Sequence, residues 1–189
     1  TLFRSFNTWG VFAIAYATSE LDMEKVPVLV AVTIASLVMA ALLPFSGLLT
    51  DRYGAKTIYL IGITAYGVAV YPVFALFGTS NLLWFTVGLV IVFWVIHALF
   101  YGAQGTLFAS LYPTPVRYTG LSVVYQFSGI YASGLTPLIL TALIGAAGGS
   151  PWLAAGYLVL TAIISVVATT LIRRDDLHLT TGPQARPVA

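Results

Sequence analysis

Charged residues divide the chain into long apolar runs. Val26 to Ser46 carries no charge, and neither does Thr57 to Leu111. A helix needs about 20 mostly apolar residues to cross a bilayer. On that rule the pattern predicts six spans, at about 2–17, 26–48, 57–77, 82–109, 121–144 and 152–172. Between the first two, Thr18 to Lys25 holds Glu20, Asp22, Glu24 and Lys25 and must lie outside the hydrocarbon. Pro27 sits where a first helical turn has no use for its missing N–H, whereas Pro44 and Pro72 fall inside spans and are expected to bend them. Gly78-Thr79-Ser80-Asn81 and Gly145 to Ser150 read as turns. Pro113 and Pro115 deny regular helix to the link from Tyr112 to Gly120. The sharpest interruption is Gly47-Leu48-Leu49-Thr50-Asp51-Arg52-Tyr53-Gly54-Ala55-Lys56, predicted to be a tight polar loop between the second and third spans.

Composition turns these runs into a membrane protein. The chain of 189 residues is 59% hydrophobic and only 7% charged, with a mean hydropathy of +0.96. A soluble chain of this size could not cover so much apolar surface. Cysteine is absent, which excludes disulfides, thiolate metal sites and cysteine nucleophiles. The opening Thr1-Leu2-Phe3-Arg4 lacks an initiator Met and the progression of a signal peptide. With the short first span, it reads as a cut through a longer protein. The tail, residues 173–189 with Pro183 and Pro187, is expected to be disordered.

Six spans put both ends on one side of the membrane. Arg4, Arg52, Lys56, Arg117, Arg173, Arg174 and Arg186 then share that side, and only Lys25 lies opposite. Cytoplasmic loops carry the excess of Lys and Arg, so both ends are expected in the cytoplasm, with the protein in the cell's inner (plasma) membrane.

The spans hold little that could do chemistry on a substrate. With two histidines, His97 and His178, there is material for neither a metal cluster nor a hydrolytic triad. No Walker-type phosphate loop is present, and an enzyme is not expected. All six acids fall in loops or tail. A proton relay at mid-membrane needs a carboxylate, which would have to come from outside this chain. Within the fourth span, His97, Tyr101 and Gln104 are spaced to share one helix face. Two readings fit His97: a cavity residue that meets substrate or proton, or a helix-to-helix hydrogen bond that orients the bundle. The polar neighbours favour the cavity. On the fifth span Tyr125 and Gln126 are substrate candidates, with helix packing as the alternative. Gly129 and Ser133 form a small-residue pair suited to close packing. Asn7 and Tyr16 on the first span are further candidates, and Arg4 fits either an anion site or a boundary charge.

At Gly47 to Lys56 the text resembles the signature loop of the major facilitator superfamily, G-x-L-x-D-R-x-G followed by two bases. A second stretch is similar to the metabolite:H+ symporters within it: His97-Ala98-Leu99-Phe100-Tyr101-Gly102-Ala103-Gln104, then Leu111-Tyr112-Pro113-Thr114-Pro115-Val116-Arg117-Tyr118-Thr119-Gly120, then Tyr125-Gln126, with Gly134-Leu135-Thr136-Pro137-Leu138-Ile139 closing the helix. That family includes carriers of alpha-ketoglutarate, citrate, shikimate, and proline or betaine. The resemblance covers essentially the whole chain as the seventh to twelfth helices of a twelve-helix transporter.

It implies an all-α membrane fold, a six-helix half of a facilitator built from two three-helix inverted repeats. The implied function is secondary active transport of a small carboxylate or zwitterion, with protons, by alternating access. The substrate site would be lined by Asn7, Tyr16, His97, Tyr101, Gln104, Tyr125 and Gln126 and face an N-terminal half. Gly47, Asp51, Arg52, Gly54, Lys56 and Arg117 would form the cytoplasmic gate, with the glycines admitting a neighbouring helix. Asp51, expected near a helix N-terminus, would gain about 0.3–1 kcal/mol from the helix dipole. Lipid, substrate, protons and the missing half are the expected partners; no nucleic acid and no cofactor are expected. The chain departs from the family text where an acid is usual at Ser110 and a base at Ala55 and Pro115, which thins the gate's charge network. A self-assembling half-size carrier or channel is the alternative.

Overall fold

In a bilayer every backbone polar group must be satisfied inside the protein, and helices do this within a single segment. The computed structural model is helical accordingly. It describes residues 5–173 and 176–178, and the side chains of these except 5–9, 94–96 and 131–133. Arg4, Arg174, Arg186 and the tail beyond residue 178 lie outside the described residues.

Among the described residues the helices join into six continuous stretches, called spans one to six below. They are Ser5–Ser19; Lys25–Tyr53; Ala55–Phe77; Leu82–Ile91 with Val92–His97 and Ala98–Ser110; Arg117–Gly129 with Ile130–Leu135 and Thr136–Ala146; and Trp152–Leu171. Lys25–Tyr53, Ala55–Phe77 and Trp152–Leu171 are each long and apolar enough to cross a bilayer. Spans four and five reach that length only through a π-helical turn, Val92–His97 in one and Ile130–Leu135 in the other. The helix carries through Pro44 and Pro72. The turn before span four uses Ser80 at φ +52°, and Asn81 caps that span by accepting a hydrogen bond from the Leu83 N–H at 2.9 Å. Gly148 and Gly149, both at positive φ, turn the chain between spans five and six.

The loop expected over Gly47 to Lys56 is not a loop. Span two stays helical through Tyr53, span three begins at Ala55, and Gly54 alone is the joint. Its backbone sits at φ 86°, ψ 142°, a region closed to residues with a Cβ. The Gly54 N–H donates to Thr50 O at 2.9 Å, and its carbonyl accepts from the Ile58 N–H at 3.2 Å. One residue thus finishes one helix and starts the next. Asp51 consequently stands in the last turn of span two, at the negative end of the dipole, so the stabilisation expected at a helix N-terminus is reversed. Arg52 is the residue well placed there. A Cβ on Gly47 or Gly54 would meet nothing within 4 Å; neither glycine is pressed by a neighbouring helix of this chain.

Span three is the hub, touching spans two, four and six. Span one lies against two and five, span four against two, and span five against six. Lipid is as apolar as leucine, so helices associate in a membrane through close fit. Gly62 shows it: a Cβ there would come within 2.9 Å of both Cβ and N of Phe100. Gly88 lies under the Phe77 ring, 2.8 Å from a would-be Cβ, and Gly102 rests on Ser46, whose Cβ would be 2.8 Å away. Next to it the Ser46 hydroxyl donates to Leu99 O at 3.1 Å, tying span two to span four. Aromatic rings fill the wider gaps. Phe12, Tyr16, Phe74, Phe77 and Phe85 form a chain of ring contacts through spans one, three and four, with centroid separations from 4.5 to 6.2 Å.

Candidate functional site

The polar side chains singled out in span four do not share one environment. The inward stripe of Ala98–Ser110 is Phe100, Ala103, Gln104, Leu107 and Ser110. Residues three apart on a helix differ by about 60° around its axis, and the edge of the bundle runs between Tyr101 and Gln104. Tyr101 is 41% exposed, whereas Gln104 is 1% exposed. Both atoms of the Gln104 amide lack a hydrogen-bond partner among the described residues. Leaving a buried polar group unsatisfied costs about 1–3 kcal/mol.

His97 closes the π-helical turn and is buried. Its ring stacks on Tyr101 at 5.2 Å between centroids and meets Phe100 edge-on at 5.3 Å. A π turn inserts one extra residue into a helix and is often found at functional sites. The run Val90-Ile91-Val92-Phe93-Trp94-Val95-Ile96 is a weak sequence signal for it, because branched and bulky side chains disfavour regular helix.

Near Tyr101, the first half of span five is sparsely covered by the described residues. Of Arg117–Gly129 only Gly129 is buried. Gln126 is exposed and Tyr125 half-buried, and Tyr125 lies within electrostatic reach of Tyr101. The structure therefore brings Tyr125 near Tyr101, with His97 stacked on Tyr101 and Gln126 exposed beside Tyr125 in the chain. Tyr16 is set apart from them. It is buried in the aromatic chain, stacked on Phe12 at 5.8 Å and edge-on to Phe74 at 6.2 Å. Asn7 lies in the first helix with its side chain outside the described set.

The charges at the other end of the bundle divide into two groups. Asp51 and Arg52 are exposed, with the Arg52 guanidinium 5.5 Å over the Tyr53 ring. Lys56 and Arg117 are engaged. The Lys56 ammonium donates to Ile172 O at 2.6 Å and to Thr170 O at 3.3 Å, carbonyls at the end of span six that have no helical partner. Arg117 donates to Tyr112 O through Nε and to His178 O through Nη2, both at 3.2 Å. Among the described residues no ion pair joins these four groups. Sequence reasoning missed the reach of the segment after span six. Residues 176–178 were expected to be disordered; instead Leu177 packs on the core, and the His178 N–H donates to Ser110 O at 2.6 Å.

The chain is 24% identical over 165 residues to the shikimate transporter of Escherichia coli strain K12, covering 87% of this chain and 37% of that protein. It is 33% identical over 147 residues to the citrate-proton symporter of Klebsiella pneumoniae, 74% of this chain and 32% of that protein. To the ectoine/proline transporter ProP of Corynebacterium glutamicum it is 35% identical over 114 residues, 58% and 22%. The matches thus span 22% to 37% of these relatives' lengths. No solved structure matches the chain. The relatives are transporters rather than enzymes, and with its long apolar helices the chain is a multi-pass membrane protein. The family profile described as Major Facilitator Superfamily matches residues 1–187, and the chain belongs to that superfamily.

Proposed function

We propose that this chain is the second half, helices seven to twelve, of a secondary active transporter that carries a small organic carboxylate or zwitterion with protons by alternating access. The observation that carries the reading is the bare, polar first half of span five. Thr119, Ser122 and Gln126 are exposed there, and a polar side chain aimed at hydrocarbon is costly. Such a face belongs against protein or a watery pathway. The relatives named for shikimate, citrate with protons, and ectoine or proline support this choice of substrate class and coupling.

The contacts also support two inverted three-helix repeats. Exchange spans one, two and three with four, five and six: the contact of one with five becomes four with two, two with three becomes five with six, and three with six maps onto itself. Each of these is present. Among the described residues, the contact of three with four has no counterpart of like extent between six and one. The substrate site faces the first half of the transporter, with Tyr101, Tyr125 and Gln126 at the surface and His97 supporting them. Asn7, Tyr16 and Gln104 join it as the halves move. Both ends lie in the cytoplasm under an inner-membrane location, where Asp51 and Arg52 face the opposite half and Gly47, Gly54, Lys56 and Arg117 complete the gate. The coupling carboxylate comes from that other half.

The test is uptake in proteoliposomes. The complete transporter should accumulate a carboxylate or zwitterion when a proton gradient is applied, and these 189 residues alone should not. Robust uptake by the 189 residues alone would sink the half-transporter reading and favour a pathway made by two copies.

A further inference from the structure

Helix ends leave carbonyls without donors, and a bundle whose ends must not fray has to find donors elsewhere. Three come together where spans three, four and six end or begin. Lys56 serves the end of span six, Arg117 serves Tyr112 O just past span four, and the His178 N–H serves Ser110 O, the last residue of span four. The chain reaches Ser110 because it folds back after the membrane. The Arg173 N–H donates to the Asp176 carboxylate at 2.8 Å, and the Asp176 N–H returns a bond to Arg173 O at 3.2 Å. Leu177 then sits on the core, and His178 O receives the second arm of Arg117.

We propose that Asp176, Leu177 and His178 form a clasp that positions Arg117 across the link between spans four and five. The clasp uses the backbone of His178 at both points, donor to Ser110 and acceptor from Arg117, so the imidazole is not required. It ties the end of span four to the start of span five, beside the bond by which Lys56 ties span three to span six, and fixes the guanidinium before any partner half arrives. The effect on transport rests on the reading of Arg117 as a gate residue; the docking does not.

The absence of cysteine makes the test direct. In the complete transporter, cysteine-free elsewhere, Ser110→Cys and His178→Cys should oxidise to a disulfide or be joined by a short bifunctional maleimide, since a backbone N–H···O bond brings two Cα atoms close to the roughly 4.4–6.8 Å that a disulfide spans and the linker tolerates either Cβ direction. Loss of maleimide labelling after oxidation reports it. Uptake should persist with the disulfide closed. His178→Pro removes the donor and should shift sided thiol labelling of the gate as far as Arg117→Met does. The double variant should shift it no further, because the clasp acts through Arg117, and His178→Ala should behave as the parent. A pair that neither oxidises nor is joined by the short linker, a closed link that stops uptake, or additive shifts in the double variant would overturn the clasp. A disulfide that forms while Arg117→Met changes nothing would instead retire Arg117 from the gate and leave the docking standing.

Discussion

Span three and the first half of span five answer the same solvent in opposite ways. Span three buries nine residues, from Ile58 to Phe77, and touches three other spans. Arg117–Gly129 buries only Gly129 and carries Thr119, Ser122, Tyr125, Gln126 and Ser128. Apolarity alone cannot sort inside from outside in a membrane, because lipid accepts leucine as readily as a core does. Span three is interior because Gly62 lets another helix backbone approach and aromatic rings interlock around Phe74. The polar half of span five is exposed in this chain yet unsuited to lipid. Exposure combined with polarity is what marks a surface reserved for another protein or for water.

The contrast is sharpest at Phe74, which touches Phe12, Tyr16 and Phe77. Phe74→Ala should lower the bundle's unfolding free energy towards the lower end of the roughly 3–5 kcal/mol found in water-soluble cores, since the cavity remains but less is gained from leaving water. Denaturant titration in detergent micelles would read it. Gly62→Ala comes next, with an expected loss of about 1–3 kcal/mol because its Cβ meets backbone as well as side chain; a silent substitution would mean that spans three and four do not cross there. Gln104→Met keeps the shape and deletes an unpartnered amide, so the same titration should show a gain of about 1 kcal/mol. A loss instead would show that the amide finds a partner. Gln126→Ala should move stability by less than about 0.5 kcal/mol while cutting uptake by the complete transporter. If it destabilised this chain as much as Phe74→Ala, the distinction between the two regions would collapse.

Much of the helix plan was legible from charge-free runs and turn residues. The turn at Gly78 to Asn81, the break at Pro113 and the glycine turn near Gly148 all stand where composition put them. The interruption at Gly47 to Tyr53 was misread because charged residues can ride on a helix that projects beyond hydrocarbon; polarity marks where lipid ends, which is not where helix ends. For the same reason span five begins at Arg117 rather than Leu121. The candidate site was legible in residue type but not in direction. Spacing put His97, Tyr101 and Gln104 in one stripe, and only the neighbouring helices decide that the stripe is split between interior and surface. The back-folding of Asp176 to His178 had little signal, as His178 bonds at both points through backbone atoms that almost any residue could supply.

The single-residue joint at Gly54 has a mechanical consequence. A helix of 29 residues is about 43 Å long at 1.5 Å per residue, against a hydrocarbon core of roughly 30 Å. Asp51 and Arg52 are thus mounted on the tip of a continuous helix rather than on a slack tether. Tilting such a rod by about 10° about its far end sweeps the tip through roughly 7 Å, about the width of a side chain. A charge on that tip can pass from contact to separation with no change in its own helix, and the bending falls on one glycine.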